Sequence, residues 1–117
     1  NYIISQLVNF LFKKNKSLKN SRIMIVGLTY KAGVADMRNS LNFKIFKKIK
    51  KYNNKVHGCD PFVRKRFKKT YKIYNKINKN SNYDVIIFLS YHETFKKIFK
   101  NVISYKNKVL DPFNYYS

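Results

Sequence analysis

Residues 22 to 40, "RIMIVGLTYKAGVADMRNS", give the clearest indication of the fold. It opens with a short, uninterrupted apolar run from Ile23 to Val26, which is typical of a strand buried on both faces of a parallel sheet. Gly27 follows and allows a tight exit from the strand. A phosphate-binding strand–loop–helix unit begins in this way, but neither dinucleotide-binding nor P-loop glycine spacing follows. The stretch therefore predicts an α/β fold and leaves open what the loop binds.

Helical and strand patterns alternate along the rest of the chain. Apolar residues at four-residue spacing predict an amphipathic helix over residues 2 to 12. Ser40 is the predicted N-cap of a second helix, which ends in "YNNK" and whose predicted apolar positions are Leu41, Ile45, Phe46, Ile49 and Tyr52. The alternation predicts a Rossmann-like α/β fold, a parallel sheet with flanking helices preceded by one amphipathic linker helix. The other predicted elements are a strand in "KVHGCD" that ends at Asp60-Pro61, a basic turn, a short strand near Tyr71 to Tyr74, a loose helical turn, a strand over Val85 to Leu89, a helix in "HETFKKIFKNVIS" and a last strand in "KVLD".

Charge is the most unusual property of the composition. The chain has 26 basic and 5 acidic residues, a net charge of +21 at pH 7. One interpretation is a nucleic-acid or anionic-membrane binder, in which "RKRFKKTYKIYNK" tracks a backbone and stacks bases on its aromatic rings. No named nucleic-acid motif supports it. Of the basic residues 22 are lysine, and asparagine, isoleucine, tyrosine and phenylalanine are also abundant. Drift towards AT-rich codons explains this profile without a polyanionic partner, so we favour drift.

Other classes of function find little support in the residues. No apolar run reaches the about 20 residues that span a bilayer, and the single cysteine, Cys59, fits a reducing, cytoplasmic compartment. Cys59 would need a base to act as a nucleophile, and His57 lies two residues away on the same strand face. A small buried thiol is the commoner case, and we expect His92 to cap or pack against a helix. The carboxylates are scattered and no cluster has metal-ligand spacing, so we predict no metal site.

The loop after Gly27 is the main candidate for a binding site. Lys31 is a point charge suited to a phosphate or a sugar oxygen, and Arg38 offers a planar fork for a pyrophosphate. The helix that starts behind Ser40 adds partial positive charge, while Asp36 would brace the loop or pair with Arg38. A solvated loop with chance charges is the alternative, and the residues alone leave both open.

Several segments in order resemble the C-terminal domain of the nucleotide-sugar 6-dehydrogenases. This family comprises the UDP-glucose, UDP-N-acetylglucosamine or -mannosamine, and GDP-mannose dehydrogenases. The resemblance covers roughly residues 20 to 112, and the helix at residues 2 to 12 resembles the end of the helix that leads out of a central dimerisation domain. It implies a division into residues 1–20, the interdomain helix and linker, and 21–117, a nucleotide-sugar-binding domain. The segments are "IMIVGLTYKAGVADMRNS", "KVHGCDPFV", "YDVIIFLSYHETFKKI" and "KVLD".

The resemblance also implies an activity and roles for loop residues. Family members use NAD to oxidise C6 of a UDP-hexose or UDP-N-acetylhexosamine to a uronic acid for surface polysaccharides, as homodimers whose N-terminal domain binds NAD. Tyr30 and Lys31 fall on the aromatic–lysine pair that contacts the UDP-sugar. Arg38 falls on the arginine that reaches the NAD pyrophosphate, and Gly27 and Asp36 on loop-bracing positions.

The sequence also departs from the family pattern. It contains neither the NAD glycine motif nor the segment of the catalytic cysteine, so we expect this chain to be inactive alone. Leu41 stands where a proline is common, and Asp111-Pro112-Phe113 stands where Asp-Gly-Arg often supplies a substrate-contacting arginine. A basic nucleic-acid-binding module and a decayed remnant without ligand remain the alternatives.

Overall fold

A computed structural model describes residues 1–29, 40–78, 81–104 and 106–117. In these residues five strands form one sheet in the order β3-β2-β1-β4-β5, and every pairing is parallel. This is the predicted Rossmann-like architecture. The strands are β1 (Ile23–Val26), β2 (Val56–Cys59), β3 (Ile73–Tyr74), β4 (Val85–Phe88) and β5 (Val109–Leu110). The helices are α1 (Tyr2–Phe12), α2 (Leu41–Tyr52), α3 (Lys65–Tyr71) and α4 (Glu93–Val102), with a 3₁₀ turn at Lys106–Lys108.

The central strand β1 divides the core into two halves. All four of its residues are buried, and successive side chains point to opposite faces of a sheet. Ile23 and Ile25 pack with α1, α2 and the rings of α3. Met24 and Val26 pack on the other face with α4. The uninterrupted apolar run is therefore explained by layers on both sides.

The predicted helix starts are capped as the sequence indicates. The Asn1 side chain accepts hydrogen bonds from the backbone N–H groups of Ile3 and Ile4. Ser40 caps α2, since its hydroxyl oxygen accepts a hydrogen bond from Phe43 N. His92 caps α4 and its Nδ1 accepts from Thr94 N at 3.0 Å. The predictions for Ser40 and His92 are confirmed.

The basic segment after β2 differs from the prediction. A helix, α3, replaces the expected basic turn, the strand that follows is only Ile73–Tyr74, and no helical turn follows it in residues 75–78. Phe67 and Tyr71 lie four residues apart on α3, and their rings contact Phe43 of α2. Lysines flank these two aromatic residues in the sequence. The helix therefore has too few apolar residues for its periodicity to be recognised from the sequence.

The apolar face of α2 is also shifted from the prediction. Leu41 was expected to be buried, but it is 54% exposed, and Tyr52 is exposed too. Phe43 and Asn42 are buried instead, together with the predicted Ile45, Phe46 and Ile49. The helix thus buries a polar residue in its first turn, at the end that faces the strand exits. None of the helices within the described ranges combines the length and apolar character needed to cross a membrane.

Candidate functional site

The order of the strands defines where a ligand would bind. From β1 the chain moves outward through β2 and β3, then crosses back to β4 on the other side of β1. The carboxyl ends of β1 and β4 therefore form a topological switch point, where doubly wound sheets bind ligands. Gly27 follows β1 and Ser90 lies just beyond β4, so both residues are at this point.

Gly27 is at the tightest position of the switch point. Its φ is +90°, a conformation that side chains with a Cβ rarely adopt. A Cβ built on it would lie 2.8 Å from Ser90 Cβ and 3.0 Å from Ser90 N. The exit of β1 is thus pressed against the exit of β4, and only glycine fits there without a shift.

Asp60, directly after β2, clamps the chain as it leaves β1. Its Oδ2 accepts hydrogen bonds from Leu28 N, Thr29 N and Thr29 Oγ1, each at 2.9 Å. Its Oδ1 accepts from Phe62 N at 2.9 Å. The side chain is fully buried, and burial raises the pKa of Asp60 above its usual value, although these hydrogen bonds oppose the rise. All four contacts need acceptor oxygens, so the ionised carboxylate fits the site.

Asn42 and Ser90 join three chain segments on the other side of Gly27. Asn42 Nδ2 donates to Gly27 O at 3.1 Å and contacts Ser90 Oγ at 2.8 Å. Ser90 Oγ donates to Gly27 O at 3.1 Å, and Ser40 Oγ donates to Leu28 O at 2.6 Å. The end of β1, the start of α2 and the end of β4 are therefore tied into one buried polar network.

Four of the predicted site residues fall outside the described residues. Tyr30, Lys31, Asp36 and Arg38 lie in residues 30–39, and their binding roles stay predictions. The residues on either side of that segment, Thr29 and Ser40, are both buried and hydrogen-bonded. The structure therefore shows that both ends of the predicted loop are anchored at the switch point.

Sequence reasoning missed Asp60, Asn42 and Ser90 as parts of this site. In the sequence, Asp60 stands only as the end of a predicted strand and as one of several scattered carboxylates. The available signal was its place directly after β2, the neighbour of β1, with a proline behind it. Asn42 carried a weaker signal, as an amide in the first turn of a helix that leaves the same edge.

The Cys59 and His57 pair does not form a reactive site. Cys59 is fully buried, and burial, with the nearby Asp60 charge, raises the pKa of its thiol to about 12. His57 Nδ1 lies 2.8 Å from the hydroxyl of Tyr83. Burial lowers the pKa of His57, and the charges of Lys50, Lys72 and Arg22 lower it further. The expectation of a small buried thiol is confirmed. The described part of the chain contains no cluster of three or more His, Cys, Asp or Glu residues able to hold a metal ion.

The fold and the network at the switch point define a doubly wound α/β domain, a class of fold that binds ligands at the carboxyl edge of its sheet. The family model described as "UDP-glucose/GDP-mannose dehydrogenase family, UDP binding domain" matches residues 24–117. The chain belongs to this family, and the resemblance read from the sequence is confirmed.

Two curated relatives and one solved structure support the same assignment. The chain is 33% identical over 100 residues to the UDP-N-acetyl-D-glucosamine 6-dehydrogenase of Salmonella typhi, covering 84% of this chain and 24% of that protein. It is 30% identical over 110 residues to the UDP-N-acetyl-D-mannosamine dehydrogenase of Methanococcus vannielii, covering 94% and 24%. A UDP-D-ManNAc dehydrogenase structure from Pyrococcus horikoshii superposes with a TM-score of 0.64 at 25% identity, covering 86% of this chain and 23% of that one. The chain thus spans a quarter or less of the length of the relatives it matches.

Proposed function

We propose that this chain is the C-terminal UDP-sugar-binding domain of an NAD-dependent UDP-sugar 6-dehydrogenase. The whole enzyme would oxidise C6 of a UDP-hexose or UDP-N-acetylhexosamine to a uronic acid for surface polysaccharide synthesis. The observation that carries the proposal is the match of the UDP-binding family model to residues 24–117, a range that contains the whole switch-point network. The relatives are dehydrogenases, which does not favour the nucleic-acid-binding alternative.

In this proposal the Asp60 clamp positions the substrate-binding residues. Tyr30 and Lys31 follow directly on Thr29, which the carboxylate of Asp60 holds through its backbone and its hydroxyl. Lys31 would place its ammonium group against the diphosphate of the UDP-sugar, and Tyr30 would contact the same ligand. Because Thr29 is fixed, these two residues start from a defined position at the switch point.

The described residues do not fit a dinucleotide cradle at the exit of β1. Such a cradle uses free backbone N–H groups at the strand–helix turn, but Leu28 N and Thr29 N already donate to Asp60. Phe43 N, in the first turn of α2, donates to the Ser40 cap. We therefore assign NAD mainly to the N-terminal domain of the whole enzyme, with Arg38 as the contact from this chain.

The same proposal fixes the place of this chain in the whole enzyme. Residues 1–20 would be the end of the interdomain helix and its linker, and residues 21–117 the binding domain. The N-terminal NAD domain, the central domain and a second copy of the enzyme would be its partners. A cytoplasmic location stays a prediction from the single cysteine.

Calorimetric titration of UDP and UDP-N-acetylglucosamine tests the proposal. The wild-type chain should bind both, and Lys31→Ala should lower the affinity about tenfold, because a charge-assisted contact to a phosphate is lost. Lys51→Ala removes the same charge from an exposed position at the far end of α2 and should leave the affinity unchanged.

Three results would contradict it. The first is no heat at high protein concentration, as a decayed remnant would give. The second is an equal affinity for wild type and Lys31→Ala. The third is an equal loss in both lysine variants, which would indicate general polycation binding with a steep salt dependence.

A further inference from the structure

A group of exposed aromatic rings lies beside the switch point. We call Tyr91, Tyr115 and Phe113 the aromatic ladder. Tyr91 directly follows Ser90 after β4, and the other two belong to the segment after β5. The ring centroids of Tyr91 and Tyr115 are 6.1 Å apart, and those of Tyr115 and Phe113 are 5.4 Å apart. The three residues are 53%, 40% and 41% exposed, so they form a continuous apolar surface that faces solvent.

The ladder is held in place by a hydrogen-bonded turn. The Asp111 carboxylate accepts hydrogen bonds from Tyr115 N at 3.1 Å and Tyr116 N at 2.8 Å, and from Ser117 N at 3.1 Å. The Tyr116 ring stacks on Tyr91 with a centroid distance of 5.6 Å and an interplanar angle of 12°. The segment that carries Phe113 and Tyr115 is therefore held by hydrogen bonds, and Tyr91 packs on the ring of Tyr116.

The same turn connects the ladder to the site at the switch point. Tyr116 Oη donates to Ser90 O at 2.5 Å and accepts from His92 N at 3.0 Å. Ser90 Oγ in turn donates to Gly27 O. One residue, Ser90, thus links the exit of β1, where the substrate loop begins, to the segment that presents the ladder.

The chemistry of the ladder suits a flat, uncharged ligand group. Its rings offer π faces on which a nucleobase stacks, and such stacking is sequence-tolerant and worth about 1–3 kcal/mol per base. UDP, the ligand named in the description of the matching family model, combines an anionic diphosphate with a flat uracil. The range matched by the UDP-binding family model, 24–117, contains all three ladder residues.

A second copy of this chain is a poorer occupant. The net charge of +21 makes two copies repel each other at low and moderate salt. A nucleotide, in contrast, brings negative charge to the same edge.

We propose that the aromatic ladder stacks the uracil of UDP, with Tyr91 and Tyr115 as the main contacts and Phe113 at the outer end. This inference rests on the proposed function. It adds a base-recognition surface to a site whose predicted ionic contact to UDP is Lys31. Phe113 has no charge or hydrogen-bonding group, so its contribution is apolar contact alone.

The test compares a ligand that has a base with one that lacks it. UDP and inorganic pyrophosphate are titrated into the 117-residue chain and into Tyr91→Leu and Tyr115→Leu. Both variants should bind UDP about tenfold more weakly, as expected for the loss of one stacking contact, and should bind pyrophosphate as wild type does. Tyr52→Leu changes an exposed tyrosine at the far end of α2 and should bind UDP normally.

A conservative variant guards against an effect on folding. Tyr91→Phe keeps the ring and should keep the affinity for UDP, whereas circular dichroism should show the same helix content in all variants. Loss of UDP affinity in Tyr91→Phe equal to that in Tyr91→Leu would overturn stacking as the cause.

Other outcomes would overturn the inference in separate ways. Wild-type affinity for UDP in both leucine variants, or an equal loss for UDP and pyrophosphate, would remove the ladder from base recognition. A dimer in sedimentation that Tyr91→Leu abolishes would assign the surface to a second copy. If wild type binds pyrophosphate but not UDP, or binds neither ligand, the proposed function is wrong. The proposal for the ladder is then wrong too, because it depends on UDP binding.

Discussion

Asp60 occupies the hydrogen-bond donors that a strand–helix turn would otherwise offer to a phosphate. Three donors from Leu28 and Thr29 converge on one of its oxygens, while Gly27 adopts a positive φ next to Ser90. The backbone N–H groups of Leu28 and Thr29 at the exit of β1 are therefore already hydrogen-bonded within the protein. A ligand at this edge therefore needs contacts other than the backbone N–H groups of Leu28 and Thr29.

The clamp predicts an order of stability among variants at two of its residues. Asp60→Asn should lower the free energy of unfolding by about 2–4 kcal/mol, because an amide nitrogen would face backbone N–H groups and a charge-assisted acceptor is lost. Thr29→Val removes one donor and should lower it by about 1 kcal/mol. Urea unfolding followed by circular dichroism measures both. A smaller effect for Asp60→Asn than for Thr29→Val would contradict the clamp.

Gly27, just after β1, and Gly58, within β2, offer a comparison of two glycines near the same residues. Gly27→Ala should lower the free energy of unfolding by about 2 kcal/mol or more, since it combines left-handed strain with a Cβ pressed on the Ser90 backbone. Gly58→Ala would meet chiefly the end of the Leu28 side chain at 2.9 Å, which can rotate away at a smaller cost. The urea concentrations at the unfolding midpoints show which variant is less stable. Equal midpoints would contradict the requirement for glycine at position 27.

At the scale of elements, α1 is part of the core of this domain. Ile3, Leu7 and Leu11 are buried and pack with β1, β4 and α2. The helix has no charged residue, although basic residues are common in the rest of the chain. Whatever α1 connects to, its inner face contributes directly to the stability of the sheet.

The inner and outer faces of α1 should respond differently to truncation. Leu7→Ala should lower the free energy of unfolding by about 2–4 kcal/mol, because a fully buried side chain leaves a cavity. Val8→Ala, on the adjacent exposed position, should change it by less than about 1 kcal/mol. Chemical denaturation of the two variants measures the difference. If Leu7→Ala were as mild as Val8→Ala, α1 would be detached in solution.

The link after α1 is joined to the start of β4 by Asp84. Lys16 Nζ lies 2.8 Å from Asp84 Oδ1, and Arg22 N donates to Oδ2 at 2.8 Å. Burial raises the pKa of Asp84, but the hydrogen bonds from Lys16 and Arg22 and the charges of Lys16 and Lys108 together lower it by more, so its folded pKa is below the ordinary value. The stabilisation is therefore present above the unfolded pKa of about 3.9 and is lost as the pH falls through the folded pKa.

Because the folded pKa of Asp84 is lowered, the difference in the free energy of unfolding between wild type and Asp84→Asn should depend on pH. The variant should be less stable at pH 7, and the difference should shrink as the pH falls below about 4. Unfolding free energies measured from pH 7 to pH 3 provide the test. A difference that grows towards acid pH would show that burial outweighs the hydrogen bonds.

At the scale of the whole molecule, charge repulsion opposes the compact state. The chain carries +21, and Lys16–Asp84 is the salt bridge found among the described residues. Each unpaired surface lysine repels the others over a Debye length of about 30 Å at 0.01 M salt and about 10 Å at 0.1 M. Salt should therefore stabilise this domain rather than weaken it.

Thermal unfolding in sodium chloride tests the effect of charge. The Tm should rise by several degrees between about 0.01 M and 0.1 M salt, as screening reduces the repulsion. Lys48→Glu combined with Lys100→Glu, both at exposed positions, lowers the net charge to +17 and should show a smaller rise. A Tm that stays constant or falls with salt would mean that local ion pairs outweigh the overall charge.

Local patterns in the chain predicted most of the fold. The four apolar residues of β1, the Ser40 cap and the apolar spacing of α1 act between near neighbours, so they can be read without the tertiary structure. The sequence did not predict α3, because lysines separate Phe67 and Tyr71 and leave only a weak apolar pattern. Their apolar role is seen only in the structure, where both rings contact Phe43. The binding roles of Tyr30, Lys31 and Arg38 rest on the resemblance and stay predictions.

The α/β class, the family and the order of the elements other than α3 follow from the sequence, because they depend on periodicity, caps and motifs within short segments. Which residues meet at the switch point depends on the pairing of the strands in the folded domain. The pairing of Val26 with Cys59 and with Phe88 brings Asp60 and Ser90 to the exit of β1. Residues more than 30 positions apart thus become hydrogen-bond partners, and a parallel register, unlike a helix cap, cannot be read from one strand alone.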